Sequence, residues 1–144
     1  MSHKKSFNAD QRGAVAFETM IVYLFLVAFL LMPLADMAAA GFQFISGWAA
    51  LRSFGQYVQY NNPLAPDGTV SWPTGLQTTV GGYTIGNIQV ICGDAGATCS
   101  SSNITSTPKY FTFSTTVTLT PIVLTRVLCR SGCTYTLNYS ERFQ

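Results

Sequence analysis

Apolar residues dominate the first part of the chain. The run from Ala14 to Ala35 covers 22 residues and holds a single charge, that of Glu18. About 20 apolar residues are needed for a helix to cross the hydrocarbon core of a bilayer, so this length predicts a transmembrane helix over residues 14–36. Pro33 lies inside the run and is expected to bend or locally break the helix, because proline lacks an N–H group.

A second helical pattern follows the apolar run. Large apolar residues recur at a spacing close to the helical period, at Trp48, Leu51, Phe54 and Val58. A residue before proline resists helix, so the stem helix, predicted over residues 37–62, should end near Asn61 or Asn62. Three glycines are expected to weaken it locally: Gly41, Gly47 and Gly55. We expect the apolar stripe to pack against the chain's own outer domain, with packing against other subunits as the alternative.

The rest of the chain, residues 63–144, is predicted as a small extracytoplasmic β domain. Apolar and polar residues alternate in three segments, which predicts half-buried antiparallel strands at Tyr83–Cys92, Tyr110–Thr120 and Cys133–Tyr139. Gly86-Asn87 indicates a bulge in the first strand, and Pro121 should end the second. The predicted fold class is therefore α+β, with a long N-terminal helix packed on a small antiparallel sheet.

The distribution of charge predicts the orientation in the membrane. Lys4, Lys5 and Arg12 precede the apolar run, and the next basic residue is Arg52. The positive-inside rule therefore places residues 1–13, a short basic leader, in the cytoplasm and the β domain outside. The formal net charge of +2 is too small to indicate nucleic acid as a partner.

Four cysteines follow the apolar run in two close pairs, Cys92 with Cys99 and Cys129 with Cys133. Their even number and their position beyond a membrane segment favour disulfides in an oxidising compartment. Each close pair would staple a short loop, although four cysteines allow three connectivities and the sequence does not choose among them. A four-cysteine zinc site is the alternative, disfavoured because the first pair is too widely spaced for a usual zinc knuckle.

Glu18 is a carboxylate inside a membrane segment. Such a group costs roughly 2.5 kcal/mol or more at the bilayer centre, costs less near the interface, and normally has a partner. No basic residue follows in the helix before Arg52. Glu18 is therefore either hydrated at headgroup depth or paired with a charge from outside its own helix.

The junction Gln11-Arg12-Gly13-Ala14-Val15-Ala16-Phe17-Glu18 resembles the class III signal of type IV pilin-like proteins. From Arg12 to about Tyr60 the chain is similar to the TadE-like minor pilins, or pseudopilins, of tight-adherence (Tad, or Flp) pilus systems. The resemblance implies that a prepilin peptidase cuts between Gly13 and Ala14. Glu18 then becomes the fifth residue of the mature chain, and its carboxylate pairs with the new α-ammonium of a neighbouring subunit.

The same resemblance implies partners and a location. The partners would be the prepilin peptidase, other Tad pilins or minor pilins, the inner-membrane assembly platform and the lipid bilayer. The chain would cross the bacterial inner membrane once, with its C-terminal domain in the periplasm, and could enter an extracellular pilus. Thr19 departs from the family, in which Tyr or Phe often follows the glutamate. The large C-terminal domain favours a minor member, because the major Flp pilins are very short.

Catalytic chemistry is not expected. The only histidine is His3, in the leader, so no Ser-His-Asp or Cys-His set can be assembled from the exported part. Asp67 and Asp94 lie in turn-like sequence and are expected to form Asx turns. The sequence indicates neither a metal nor a cofactor, and it predicts that the protein is not an enzyme.

Three functions are compatible with these patterns. The first is a minor pilin that takes part in assembly or priming of a Tad-type pilus. The second is an adhesive or ligand-binding module on a plain membrane anchor. The third is a small secreted disulfide protein, released by signal peptidase after the small residues Ala38, Ala39 and Ala40.

Overall fold

The computed structural model describes residues 12–143. The described part begins with a continuous helical rod, made of α1 (Arg12–Leu26), a π-helical turn (Val27–Leu31) and α2 (Met32–Tyr60). The rod ends where the sequence predicts, with Asn61 as the C-cap two residues before a proline.

The disturbance predicted at Pro33 takes the form of the π-helical turn directly before it. A proline removes one helix hydrogen bond and crowds the carbonyl four residues earlier, here that of Phe29. In the π turn, the N–H of Met32 donates to the carbonyl of Val27, five residues back. The wider turn absorbs the proline, which occupies the first turn of α2, and the helix continues beyond it.

The outer domain contains one antiparallel sheet. Its strands are β1 (Thr79–Val80), β2 (Tyr83–Cys92), β3 (Ala97–Thr98), β4 (Lys109–Thr118) and β5 (Thr134–Arg142). The order across the sheet is β1-β2-β4-β5, and β3 pairs with the last residues of β2. A short helix, α3 (Thr125–Leu128), lies between β4 and β5. The predicted α+β class, a long helix on a small antiparallel sheet, is confirmed.

The predicted strands agree closely with the observed ones. β2 has the predicted bounds, and its register shifts between Gly86 and Gln89, which confirms the bulge. Asn87 adopts φ 51° in the bulge, a conformation that asparagine tolerates, and its amide donates to Ser114 Oγ at 2.8 Å. β5 extends three residues further than predicted, because Arg142 pairs with Tyr110 at the start of β4.

The core lies between α2 and one face of the sheet. Leu51, Phe54 and Val58 are at most 1% exposed, so this part of the apolar stripe packs on the chain's own domain, as expected. The ring of Phe54 meets that of Phe113 edge to face, with centroids 5.0 Å apart. Trp48 differs from the others, since it is 43% exposed, and its ring meets that of Tyr139 edge to face.

Two of the glycines that lower helix propensity have a packing role. A Cβ atom on Gly47 would lie 2.6 Å from Val117 Cγ2 and 3.0 Å from Leu137 Cδ1. A Cβ on Gly55 would lie 3.2 Å from Phe113 Cζ, whereas a Cβ on Gly41 would meet nothing within 4 Å. The absence of side chains at Gly47 and Gly55 therefore lets the helix approach the sheet closely.

The disulfides join each cysteine to its near neighbour. Cys92–Cys99 connects the end of β2 to the residue after β3, and Cys129–Cys133 closes the turn before β5. Both predicted loop staples are confirmed. The zinc alternative is wrong, because all four cysteines are consumed in disulfides and none of those described is free.

The glycine contacts give a matched pair of substitutions. Gly47→Ala should lower the free energy of unfolding of the outer domain by about 1–3 kcal/mol, because buried, β-branched Val117 cannot move away cheaply. Gly41→Ala should be neutral or stabilising by up to about 1 kcal/mol, through helix propensity alone. Denaturant unfolding of the full chain in detergent, followed by tryptophan fluorescence, measures both. Equal effects of the two substitutions would contradict the packing role of Gly47.

Candidate functional site

The first part of the rod has an apolar surface that the outer domain leaves uncovered. Of the large apolar side chains from Val15 to Leu34, all but Val27 are exposed, by 44% for Leu26 up to 72% for Phe29. The helix Val15–Tyr60 includes an 18-residue window of mean hydropathy 2.4, long and apolar enough to cross a membrane. A surface of this kind needs a cover of lipid or of other protein chains.

Glu18 is the single charge on this surface. It is exposed on α1, and within the described part of the chain it has no hydrogen-bond or ion-pair partner. Its neighbour Thr19 is satisfied locally, since the hydroxyl donates to the carbonyl of Val15 at 2.8 Å. Because it is exposed, the Glu18 carboxylate is accessible to a charge from outside its own helix.

The predicted processing site lies at the start of α1. Gly13 and Ala14 belong to its first turn, and residues 1–11 of the predicted leader lie outside the described residues. Ala14 and Glu18 are four residues apart, so they occupy the same face of the helix, about 6 Å apart along its axis. The four cysteines lie in the β domain, well separated in the fold from this end of the rod.

Asp36 marks the boundary between the apolar rod and the outer domain. Its side chain is 6% exposed, and its carboxylate accepts three backbone N–H groups from the loop after β4. Oδ1 accepts from Ile122 at 3.0 Å, while Oδ2 accepts from Val123 at 2.7 Å and from Leu124 at 2.8 Å. These donors lie directly before α3, and Leu124 is the N-cap of that helix. Asp36 thus fastens the loop to the end of the predicted span.

The bonds of Asp36 join distant parts of the chain. Sequence reasoning missed this contact, because Asp36 and its partners are 86 or more residues apart. Only the sequence position of Asp36, at the end of an uncharged run, hinted at a special role.

A polar groove runs between α2 and β5 further along the stem. Its volume is about 570 Å³, and its lining includes Trp48, Arg52, Gln59, Tyr139 and Glu141. Gln59 donates to Glu141 Oε1 at 2.9 Å. The hydrogen bond to Glu141, together with burial and the negative charge, raises the pKa of Tyr139, and Arg52 opposes this effect. The groove can hold a polar group of a ligand or of a neighbouring chain.

The acidic residues of the described part of the chain lie apart from one another or in turns. No group of three or more His, Cys, Asp or Glu side chains that could hold a metal occurs in residues 12–143. Asp67 forms the predicted Asx turn, accepting from the N–H and hydroxyl of Thr69 at 3.0 and 2.7 Å. The corresponding role of Asp94 stays a prediction.

Substitution of Asp36 tests its bonds to the loop. Asp36→Asn keeps the size of the side chain but replaces one acceptor oxygen with an NH₂ group that faces N–H donors. Hydrogen exchange at the amides of residues 122–124 should accelerate roughly tenfold or more. Asp67→Asn, whose bonds are local to its own turn, should leave those three amides unchanged. Wild-type exchange rates in Asp36→Asn would show that the carboxylate does not hold the loop.

The comparisons with known proteins give no relative. No family model, no curated protein and no solved structure matches this chain.

Proposed function

We propose that this chain is a minor pilin or pseudopilin of a tight-adherence pilus, processed by a prepilin peptidase and acting in assembly or priming of the filament. The observation that carries the proposal is the exposed apolar half of the rod, with Glu18 as its single charge. That carboxylate lies one helical turn after the junction of Gly13 and Ala14, where the leader would be removed.

The division of the rod into two halves supports this role. From Ala40 to Val58 the helix contributes to the core of the outer domain, whereas the part before Asp36 is left uncovered by the rest of the described chain. A rod built this way can exchange a lipid environment for a protein one without disturbing the domain. A filament subunit needs this property, because its apolar segment leaves the bilayer when it enters the filament.

The position of Glu18 supports a pairing that depends on processing. Before cleavage, Ala14 carries a peptide bond and offers no positive charge. Cleavage creates an α-ammonium on the same helix face as Glu18, about one turn away. In a filament core, the ammonium of one subunit would neutralise the carboxylate of a neighbour. Leaving either charge buried and unpaired costs several kcal/mol, so the pairing would favour processed, correctly placed subunits.

The proposed partners and location come from the resemblance to TadE-like pilins. They are the prepilin peptidase at the cytoplasmic face of a bacterial inner membrane, other minor pilins, the assembly platform and the bilayer itself. The outer domain would lie in the periplasm, an oxidising compartment in which the disulfides Cys92–Cys99 and Cys129–Cys133 persist.

A binding module on a plain anchor is the second candidate, and the stem groove favours it. Trp48 and Tyr139 offer aromatic surfaces there, and Arg52 and Glu141 offer opposite charges. The secreted alternative has less support. Cleavage after Ala38–Ala40 would cut within the continuous helix α2 and remove Asp36 from the product, and with it the bonds that hold the loop after β4.

N-terminal sequencing of the mature chain separates the three candidates. A start at Ala14 is expected for the minor pilin. An intact leader would assign the chain to the plain anchor, and a start near Gly41 would assign it to the secreted protein. Either of the last two results would overturn the proposal.

The proposed pairing predicts a selective effect of Glu18→Ala. Membrane insertion and cleavage should largely survive, because the substitution makes the span more apolar, while incorporation into the filament should fall. Thr19→Ala is the matched control, since the Thr19 hydroxyl is bonded within its own helix, and incorporation should stay near the wild-type level. Immunoblots of membrane and sheared-pilus fractions measure both steps. Unchanged incorporation of Glu18→Ala would rule out the pairing.

A further inference from the structure

A second apolar surface lies beside the end of the predicted span. The segment 121–128 contains α3 and reads PIVLTRVL. Ile122 is 85% exposed, Val127 is 72% exposed and Val123 is 45% exposed. A connection between strands normally presents polar residues to water. Three exposed branched apolar residues within six positions therefore indicate a surface that is covered in the working protein.

The position of the segment is fixed by the helix that would span the membrane. Asp36, the last residue of the predicted span, accepts the backbone N–H groups of residues 122–124. The segment therefore lies at the depth at which the helix leaves the hydrocarbon. Around Asp36 the helix itself exposes Met32, Leu34 and Met37, so apolar surface is present on both elements at the same level.

The shape of the segment is also fixed. The N–H groups of Leu128 and Cys129 donate to the carbonyls of Leu124 and Thr125 at 2.8 and 2.9 Å. Leu128 packs against the core, and the disulfide Cys129–Cys133 closes the chain directly after it. The exposed side chains are thus presented by a preformed turn that is anchored at both ends.

The charges of this region suit a lipid surface. Residues 119–135 include Arg126 and Arg130, both exposed, and no acidic residue. Anionic phospholipid offers hydrocarbon to apolar side chains and phosphate to basic ones at adjacent depths. In the membrane-anchored chain, before any neighbouring subunit packs on the rod, the bilayer surface already lies at the level of the emerging helix.

We propose that the segment 121–128 is a second membrane contact, which rests in the leaflet on the side of the outer domain. Ile122, Val123 and Val127 enter the edge of the hydrocarbon beside the helix, and Arg126 and Arg130 meet lipid phosphates. The inference rests on the proposed anchoring of residues 14–36 and adds to it. A single helix leaves a domain free to tilt and rotate above the bilayer, and this contact fixes its orientation.

Tryptophan quenching by brominated lipid tests the contact in the full chain. The protein, with Trp48→Phe and Trp72→Phe, is reconstituted into dilute vesicles of phosphatidylcholine and phosphatidylglycerol brominated along the acyl chains. Single tryptophans are placed by Ile122→Trp, by Tyr60→Trp at the far end of the stem, and by Phe25→Trp within the span. The three positions that receive a tryptophan are exposed, so these three substitutions do not disturb the core.

Ile122→Trp should be quenched roughly twofold or more relative to Tyr60→Trp, and less than Phe25→Trp. Equal quenching at positions 122 and 60, with strong quenching at position 25, would overturn this contact and leave the anchoring intact. Absence of quenching at position 25 would overturn the anchoring and the contact together. A blue shift at position 122 that grows with protein density, without quenching by lipid, would assign the surface to a second copy of the chain.

Discussion

The close packing of α2 on the sheet is the contact on which the rest of the structure depends. The sheet is small, and two of its five strands have only two residues each, so it could not form a stable core alone. The helix supplies the missing half of that core through Leu51, Phe54 and Val58. Gly47 and Gly55 set the distance, because any side chain there would push the helix away from Val117 and Phe113.

That packing also determines what the rest of the helix can do. The sheet covers the rod only on the outer side of Asp36, so the preceding part is left with an apolar surface and one carboxylate. One continuous helix joins the outer domain to the apolar segment, but the core of the domain does not include that segment. The proposed pilin role requires this, because the apolar segment must exchange lipid for protein while the outer domain keeps its core.

Much of the fold could be predicted from the sequence because it depends on local pattern. Period-two alternation defined β2 to the residue, the proline at position 63 located the helix end, and cysteine spacing indicated two stapled loops. The contacts of Asp36 and Gly47 could not be predicted, since each depends on residues about 70 or more positions away. The short strands β1 and β3 were missed because two residues carry no readable period. The roles of Gly13, Ala14 and Glu18 stay predictions from the sequence, because they concern other molecules.

The π-helical turn before Pro33 changes the directions in which side chains before and after it point around the helix axis. A π turn contains about one residue more than an α turn, and each residue of an α-helix advances by about 100° around the axis. In an uninterrupted α-helix, Glu18 would point in a different direction around the helix axis. The turn at Val27–Leu31 rotates it by about that angle with respect to the sheet-facing side of α2. The turn before the proline thus sets the direction in which the outer domain points relative to Glu18.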